Sequence, residues 1–189
     1  MDIITQVNFL FSNSINSQNN QLFLTAKWIE TIYDSMIVIS DDKALYLLEF
    51  VQRKNLIQEI QNLILKTKAH IILGNSQPIV SITQELNNYF AGTLKEFLNP
   101  YYLLGTVFQN AVWQSLTKIP YGQTKSYLQQ AQSLNKATAV RAIASANGRN
   151  QLAMIVPCHR VINTSGKLGG YSGGIDNKIW LLKHEAKFV

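Results

Sequence analysis

One cysteine, four prolines and four arginines in 189 residues set the first limits on this chain. A lone Cys158 cannot close an internal disulfide, and the three histidines, at 70, 159 and 184, add too few donors for a structural zinc site. Long hydrophobic runs are missing too, with no apolar stretch near the roughly 18 residues of a membrane span. The first eleven residues place no basic side chain ahead of their apolar positions, so an export signal is not expected. Together these absences point to a cytoplasmic protein with no membrane partner and no metal. Acid is scarce in one half only. Residues 101–189 hold two acidic side chains against ten basic ones, whereas residues 1–100 hold nine against seven. The net charge of +6 therefore belongs to the second half, and suggests a polyanionic partner bound through phosphate neutralisation. A solvated basic surface is the plainer alternative.

The remaining composition, 47% hydrophobic and 15% charged, describes a folded protein of one large or two small domains. The polar run at residues 12–21 reads as a loop or linker. Residues 36–40 and 44–50 are apolar runs split by Asp41, Asp42 and Lys43, the pattern of a hairpin. Apolar positions at 56, 57, 60, 63 and 64 predict a helix over 56–66, followed by a strand at 70–73 and a second helix over 81–90. Pro100 marks the expected boundary, with a linker near 98–104, giving an α/β domain over 1–100 and a second domain over 101–189. In the second domain a helix is expected over 105–116. Ser126 with Gln129 three positions on is a capping-box signature for a helix over 127–134. After a turn at Asn135 and Lys136, an alanine-rich helix over 137–146 ends at Gly148. Two short helices and a tight turn in a basic segment suggest a helix-turn-helix, although many such pairs are purely structural. Arg141 and Arg149, two of the four arginines in a chain that otherwise uses lysine, are suited to stacking and multidentate hydrogen bonding.

The sharpest chemical feature is Pro157-Cys158-His159-Arg160, after the apolar run 153–156. Positive charge and a proton acceptor beside a thiol favour the thiolate, the nucleophilic form; a buried structural cysteine is the alternative. Neighbours on an extended strand point apart, so either the chain turns at Cys158 or a water carries the proton to His159. Pro157 favours a strand that ends in a sharp, exposed turn. A histidine base needs a third group to hold its ring, and Glu185 qualifies, unless it is a surface residue paired with a lysine. Five glycines between 166 and 174 surround Tyr171 and Ser172, which are either pocket walls or turn residues. Their spacing is not that of a phosphate-binding loop, so no nucleotide cofactor is expected. Asp176 is placed to cap a last helix that packs Ile179, Trp180 and Leu182 on the core.

Over residues 108–185 these features run in a fixed order: Val112-Trp113, Ile119-Pro120-Tyr121-Gly122, Ser126-Tyr127, Arg141-Ala142, Asn147-Gly148-Arg149-Asn150, Ile155-Val156-Pro157-Cys158-His159-Arg160-Val161-Ile162, Gly170-Tyr171-Ser172-Gly173-Gly174 and Lys178-Ile179-Trp180-Leu181-Leu182-Lys183-His184-Glu185. This segment resembles the O6-alkylguanine-DNA alkyltransferases, stand-alone bacterial type. The resemblance implies a small α/β, ribonuclease H-like N-terminal domain and a mainly α, winged helix-turn-helix-like C-terminal domain. It also implies a single-turnover DNA repair protein that moves an alkyl group from O6-alkylguanine, with O4-alkylthymine as a second candidate substrate, to a cysteine.

Carried over position by position, Cys158 would be the acceptor, His159 would take its proton through a water, and Glu185 would orient His159. Asn150 would brace the turn, and Tyr127 would donate a proton toward the guanine ring nitrogen. Ser172 would contact O6, with Tyr171 beside it, and the carbonyls of Cys158 and Val161 would accept from the exocyclic amine. Arg141 would enter the base stack, with Ala142, Arg149 and Ser126 also on the DNA side. The partner implied is double-stranded DNA with the lesion, bound by a monomer that can act cooperatively, and no cofactor is needed. Two other classes remain for comparison: a winged-helix DNA-binding module with a structural Cys158, and a Cys-His-Glu hydrolase.

Overall fold

A computed structural model describes residues 2–12 and 22–189. The chain divides into two compact units, one comprising Met1–Asn87 with Leu98–Tyr102, the other Asn88–Phe97 with Leu103–Val189. The sequence-based boundary at residue 100 thus differs from this division, which assigns Asn88–Phe97 to the second unit.

The first unit is built on four strands, β1 (Phe23–Glu30), β2 (Ser35–Ser40), β3 (Leu45–Phe50) and β4 (His70–Leu73), in the order β3-β2-β1-β4. β1 runs antiparallel to β2, and β2 to β3, whereas β4 lies parallel to β1 with Phe23 opposite His70. The expected hairpin is β2 and β3. Both are buried almost throughout, as continuous apolar runs require when a sheet is covered on two faces. Helix α1 (Ile3–Ser12) and strand β1 have no counterpart in the sequence reading. The other residues of the expected 12–21 loop lie outside the described residues. Helix α2 (Leu56–Thr67) buries Leu56, Ile60 and Leu63, the stripe seen in the sequence. Helix α3 (Gln77–Phe90) starts four residues before the expected position. Pro78 is no obstacle there, because first-turn amides have no intrahelical partner, and the Ser76 hydroxyl accepts from Ile79 N at 3.3 Å. Residues 98–102, expected to be a linker, are pinned to β3: Leu45 N donates to the Pro100 carbonyl at 2.9 Å and Tyr102 N to that of Leu45 at 2.8 Å.

Among the described residues of this unit, Glu49 on β3 forms a buried ion pair with Arg53 in the turn after it. Burial pushes the Glu49 carboxyl up to about 7, against the pull of the Arg53 guanidinium.

The second unit is mainly helical. Helix α4 (Val107–Leu116) opens on a capping box between Thr106 and Gln109, and α5 (Tyr127–Ser133) on the expected one between Ser126 and Gln129. The single helix expected over 137–146 is instead a 3-10 turn at Ala137–Ala139 followed by α6 (Val140–Asn147). Asn135, at φ 56°, reverses the chain between α5 and that turn. A buried amide pair ties three helices together. Asn147 Nδ2 donates to Gln130 Oε1 at 2.8 Å, and Gln130 Nε2 reaches Ser115 Oγ at 3.0 Å. Trp113 adds a bond from its indole nitrogen to the Ala146 carbonyl at 2.8 Å.

Residues 153–156 are not a strand. They turn through Met154 at φ 67° and lead into a 3-10 turn at Cys158–Arg160, after which β6 (Val161–Ile162) pairs in parallel with β5 (Lys125–Ser126). That two-residue ladder brings the start of α5, and with it Tyr127, beside the segment that follows Cys158. The last helix, α7 (Ile175–Lys187), has Gly174 as its N-cap, and Asp176 sits within the first turn, where a negative charge suits the helix dipole. Its deepest face carries Asn177, Lys178, Leu181, His184 and Glu185, whereas Ile179, Trp180 and Leu182 are only half-buried. Among the described residues no helix is long and apolar enough to cross a membrane.

Candidate active site

The second unit concentrates its buried polar chemistry around the 3-10 turn Cys158–Arg160. A turn, not an extended strand, carries the cysteine, so consecutive side chains leave the backbone in different directions within one short segment. Cys158 is 7% exposed, which corrects the expectation of an open, projecting thiol. Its surroundings explain how it stays accessible: it lines a cavity of about 240 Å³ with Tyr127, Asn147, Gly148, Gly170, Tyr171 and Ser172. Asn150 holds the turn from beneath. Its Nδ2 donates to the Val156 carbonyl at 2.7 Å and to Cys158 Sγ at 3.2 Å, while its Oδ1 accepts from Leu152 N at 3.1 Å.

His159 is fully buried, and its Nε2 lies 2.8 Å from Glu185 Oε1. A carboxylate can only accept, so Nε2 carries the hydrogen and Nδ1 keeps a free lone pair. Nδ1 is buried and has no hydrogen-bond partner in the structure, a costly arrangement unless that nitrogen has work to do. Burial lowers the proton affinity of His159 below that of free imidazole, Glu185 opposes the shift, and the Arg160 and Lys178 charges reinforce it.

Glu185 is itself fully buried, which removes the alternative of a surface residue paired with a lysine. Arg160 grips it through Nε and Nη2, at 2.9 Å to Oε2 and 2.8 Å to Oε1, and also donates to the Ile119 carbonyl at 2.7 Å. Gly122 N donates to Oε2 at 3.0 Å, and the Tyr89 hydroxyl to Oε1 at 2.9 Å. Burial alone would raise the Glu185 carboxyl. The hydrogen bonds and charges of His159 and Arg160 outweigh it and hold the group well below the usual carboxylate range. Gly122 sits at φ 72°, a conformation in which any side chain would be strained, so glycine is favoured here.

Lys178 completes the cluster. It is fully buried, donates to the Val161 carbonyl at 2.6 Å, and is pulled down to about 8 by burial, with the Cys158 charge acting in the opposite direction. That attraction is mutual, so the ammonium favours the thiolate. Tyr127 is raised by burial and then by the Cys158 charge, which keeps its hydroxyl protonated and able to donate. Among the described residues no group of three or more His, Cys, Asp or Glu side chains could hold a metal ion.

The structure therefore brings together Cys158, His159, Glu185 and Asn150, and sets Tyr127, Tyr171 and Ser172 around the same cavity as Cys158. Val161 enters through its carbonyl. Arg141 and Ala142 on α6, and Arg149 in the turn just after it, stand apart from this cluster and are exposed, and Ser126 is engaged in capping α5. In the glycine-rich loop, Gly166, Gly169 and Gly174 adopt positive φ, so backbone conformation explains those three. Sequence reasoning missed Tyr89, Lys178 and the clamping role of Arg160. Lys178 had a readable signal: with Leu181 and Glu185 it sits at helical spacing i, i+3, i+7, on one face of α7.

Residues 107–187 match the family model described as 6-O-methylguanine DNA methyltransferase, DNA binding domain. A methylated-DNA–protein-cysteine methyltransferase of Methanosarcina barkeri is 38% identical over 83% of this chain and 94% of its own. The Mycobacterium leprae protein of the same name is 52% identical over 53% of this chain, and that match spans 61% of the relative's length. Among solved structures, Mycobacterium tuberculosis OGT in complex with DNA superposes with a TM-score of 0.76 at 35% identity, over 89% of this chain and 95% of that one. With most of both chains aligned at this level of identity, the chain belongs to the methylated-DNA–protein-cysteine methyltransferase family.

Proposed function

We propose that this protein repairs DNA directly, by taking the alkyl group of O6-alkylguanine onto Cys158, once per molecule. The observation that carries the reading is a thiol on the wall of a 240 Å³ cavity, beside a buried histidine whose one free nitrogen has no partner. His159 Nδ1 takes the thiol proton through a water, and Glu185 holds the imidazole through Nε2. The thiolate then attacks the alkyl carbon; the new S–C bond forms as the C–O6 bond breaks, and the electron pair passes to the purine. Tyr127 donates its proton to the guanine ring nitrogen as the base departs, and Ser172 contacts O6 with Tyr171 beside it. The carbonyls of Cys158 and Val161 receive the exocyclic amine; that of Val161 has a second lone pair beyond the one Lys178 occupies. The product is a thioether, and no group in the site offers a route back. O4-alkylthymine fits the same chemistry.

A paired guanine does not present O6 to a sulfur outside the duplex, so the nucleotide is extruded first. The exposed Arg141 and Ala142 of α6, with Arg149 in the turn just after the helix, support an insertion role for Arg141 and a DNA-facing role for its neighbours, with Ser126 at the adjoining helix start. The pair α5–α6 with the β5–β6 ladder fits a winged helix-turn-helix, and the β3-β2-β1-β4 sheet order fits a ribonuclease H-like first domain. The working form is a cytoplasmic monomer on double-stranded DNA, able to bind cooperatively.

Incubation with O6-benzylguanine followed by intact mass analysis is the direct test. The expected result is a single benzyl adduct on Cys158 and one equivalent of free guanine. No adduct would favour a DNA-binding module, and turnover of esters with recovery of the thiol would favour a hydrolase. Arg141→Ala should slow repair of duplex DNA roughly 10- to 100-fold, the scale of a lost unstacking device, and leave the reaction with free O6-benzylguanine near wild type. Equal loss on both substrates would remove Arg141 from base extrusion.

A further inference from the structure

Tyr89 lies in the last turn of α3, outside the 107–187 segment that the family model matches. It is fully buried, and it makes two bonds to consecutive residues of α7. Its hydroxyl donates to Glu185 Oε1 at 2.9 Å, and its carbonyl accepts from His184 Nε2 at 2.7 Å. Aromatic neighbours fix the ring, with Phe97 and His184 both 5.3 Å away between centroids and Tyr121 at 5.9 Å. Four donor atoms from three residues therefore converge on Glu185 Oε1: the Tyr89 hydroxyl, His159 Nε2, and Nη2 and Nε of Arg160.

We propose that Tyr89 is a positioning residue for alkyl transfer, its hydroxyl drawing charge from Glu185 Oε1 and so limiting how tightly His159 holds a proton. The inference rests on the function proposed above. A carboxylate oxygen shared among fewer donors gives more of its charge to those that remain. Without the Tyr89 hydroxyl, the Glu185–His159 bond strengthens and the imidazolium is favoured. His159 then stays protonated to higher pH, where it cannot accept the thiol proton. The other groups facing Glu185 are Tyr121, Gly122 N, His159 and Arg160, while His159 also feels Lys178. Burial, followed by the Glu185 charge, keeps Tyr89 protonated throughout the working range, so it donates at every relevant pH.

The test compares wild type with Tyr89→Phe in the full chain, which keeps the ring and removes only the hydroxyl. Single-turnover rates with O6-benzylguanine are followed from pH 5 to 9, and the His159 ring is titrated by NMR below the melting temperature. The expected result is an acid limb moved up by roughly half a unit to one unit in both readouts. Below that limb the rate falls roughly three- to tenfold, with convergence toward wild type at high pH. In a Glu185→Gln background the same substitution should add nothing, because its route of action is gone. An equal loss at every pH, an unmoved His159 titration, additive effects in the double variant, or a Tyr89→Phe chain that does not fold would each overturn the proposal and make Tyr89 a packing residue. Absence of a benzyl adduct on the wild-type chain is a different failure, and would sink the functional reading itself.

Discussion

Glu185→Gln is expected to cost the second unit about 3–5 kcal/mol, the range measured when one partner of a buried ion pair is removed. For a chain of this size that lowers Tm by about 10 °C, readable by calorimetry or circular dichroism. The cause is specific. Glu185 satisfies Arg160, His159, Tyr89 and Gly122 together, and a glutamine amide turns one of its two acceptors into a donor facing other donors. Alkyl transfer should fall with it, because the imidazole loses the carboxylate that sets its tautomer. The same network makes the fold acid-sensitive in a defined direction. Glu185 binds its proton less readily folded than unfolded, so its contribution is complete above the ordinary glutamate value of about 4.3 and is lost as pH falls toward the depressed folded value. His159, also depressed, adds to the loss as pH falls below about 6.5. Glu49, raised to about 7, acts in the opposite direction, adding stability as pH falls from about 7 to 4.5, so the readout is the difference between wild type and Glu185→Gln. That difference in melting temperature should shrink as pH falls below about 4.3, and a difference that does not change with pH would contradict the assignment of Glu185 as the buried anion.

Cys158→Ala should abolish transfer completely, since the acceptor atom itself is gone and nothing else in the cavity is nucleophilic at sulfur's level. Methyl groups on O6 of guanine in duplex DNA should remain after prolonged incubation, and the mass of the protein should not change. The variant should fold, because Asn150 Nδ2, which donates to the sulfur at 3.2 Å, keeps its bond to the Val156 carbonyl when the sulfur is removed. It should also retain lesion binding, which separates recognition from chemistry. Full removal of methyl groups by Cys158→Ala would displace Cys158 as the acceptor.

Features encoded by neighbours were legible in the sequence, and those built by distant pairs were not. The Ser126–Gln129 capping box, the 36–50 hairpin and the α2 stripe depend on residues a few positions apart, and the structure bears out each. Strand β1 escaped notice because Phe23–Glu30 mixes polar and apolar positions and its parallel mate β4 lies over 40 residues on. The motif points to the grouping of Cys158 with His159 and Glu185, but carries no sign of how deeply they lie. A segment reading as a strand with an exposed end is a fully buried turn, because Asn150 draws the chain inward through Val156 and Leu152. Tyr89 was out of reach: its bond to Glu185 spans 96 positions, and nothing local distinguishes it from the other tyrosines.

The order in which the chain visits its two units bears on biosynthesis. It enters the second unit at Asn88–Phe97, returns to the first for Leu98–Tyr102, and only then completes the second. On a ribosome adding about 5–20 residues per second, the helix that bears Glu185 emerges roughly 5–20 s after Tyr89. For that interval Tyr89 and Phe90 lack the Trp180 and His184 rings they pack on, a window in which a nascent chain is open to chaperones and to aggregation.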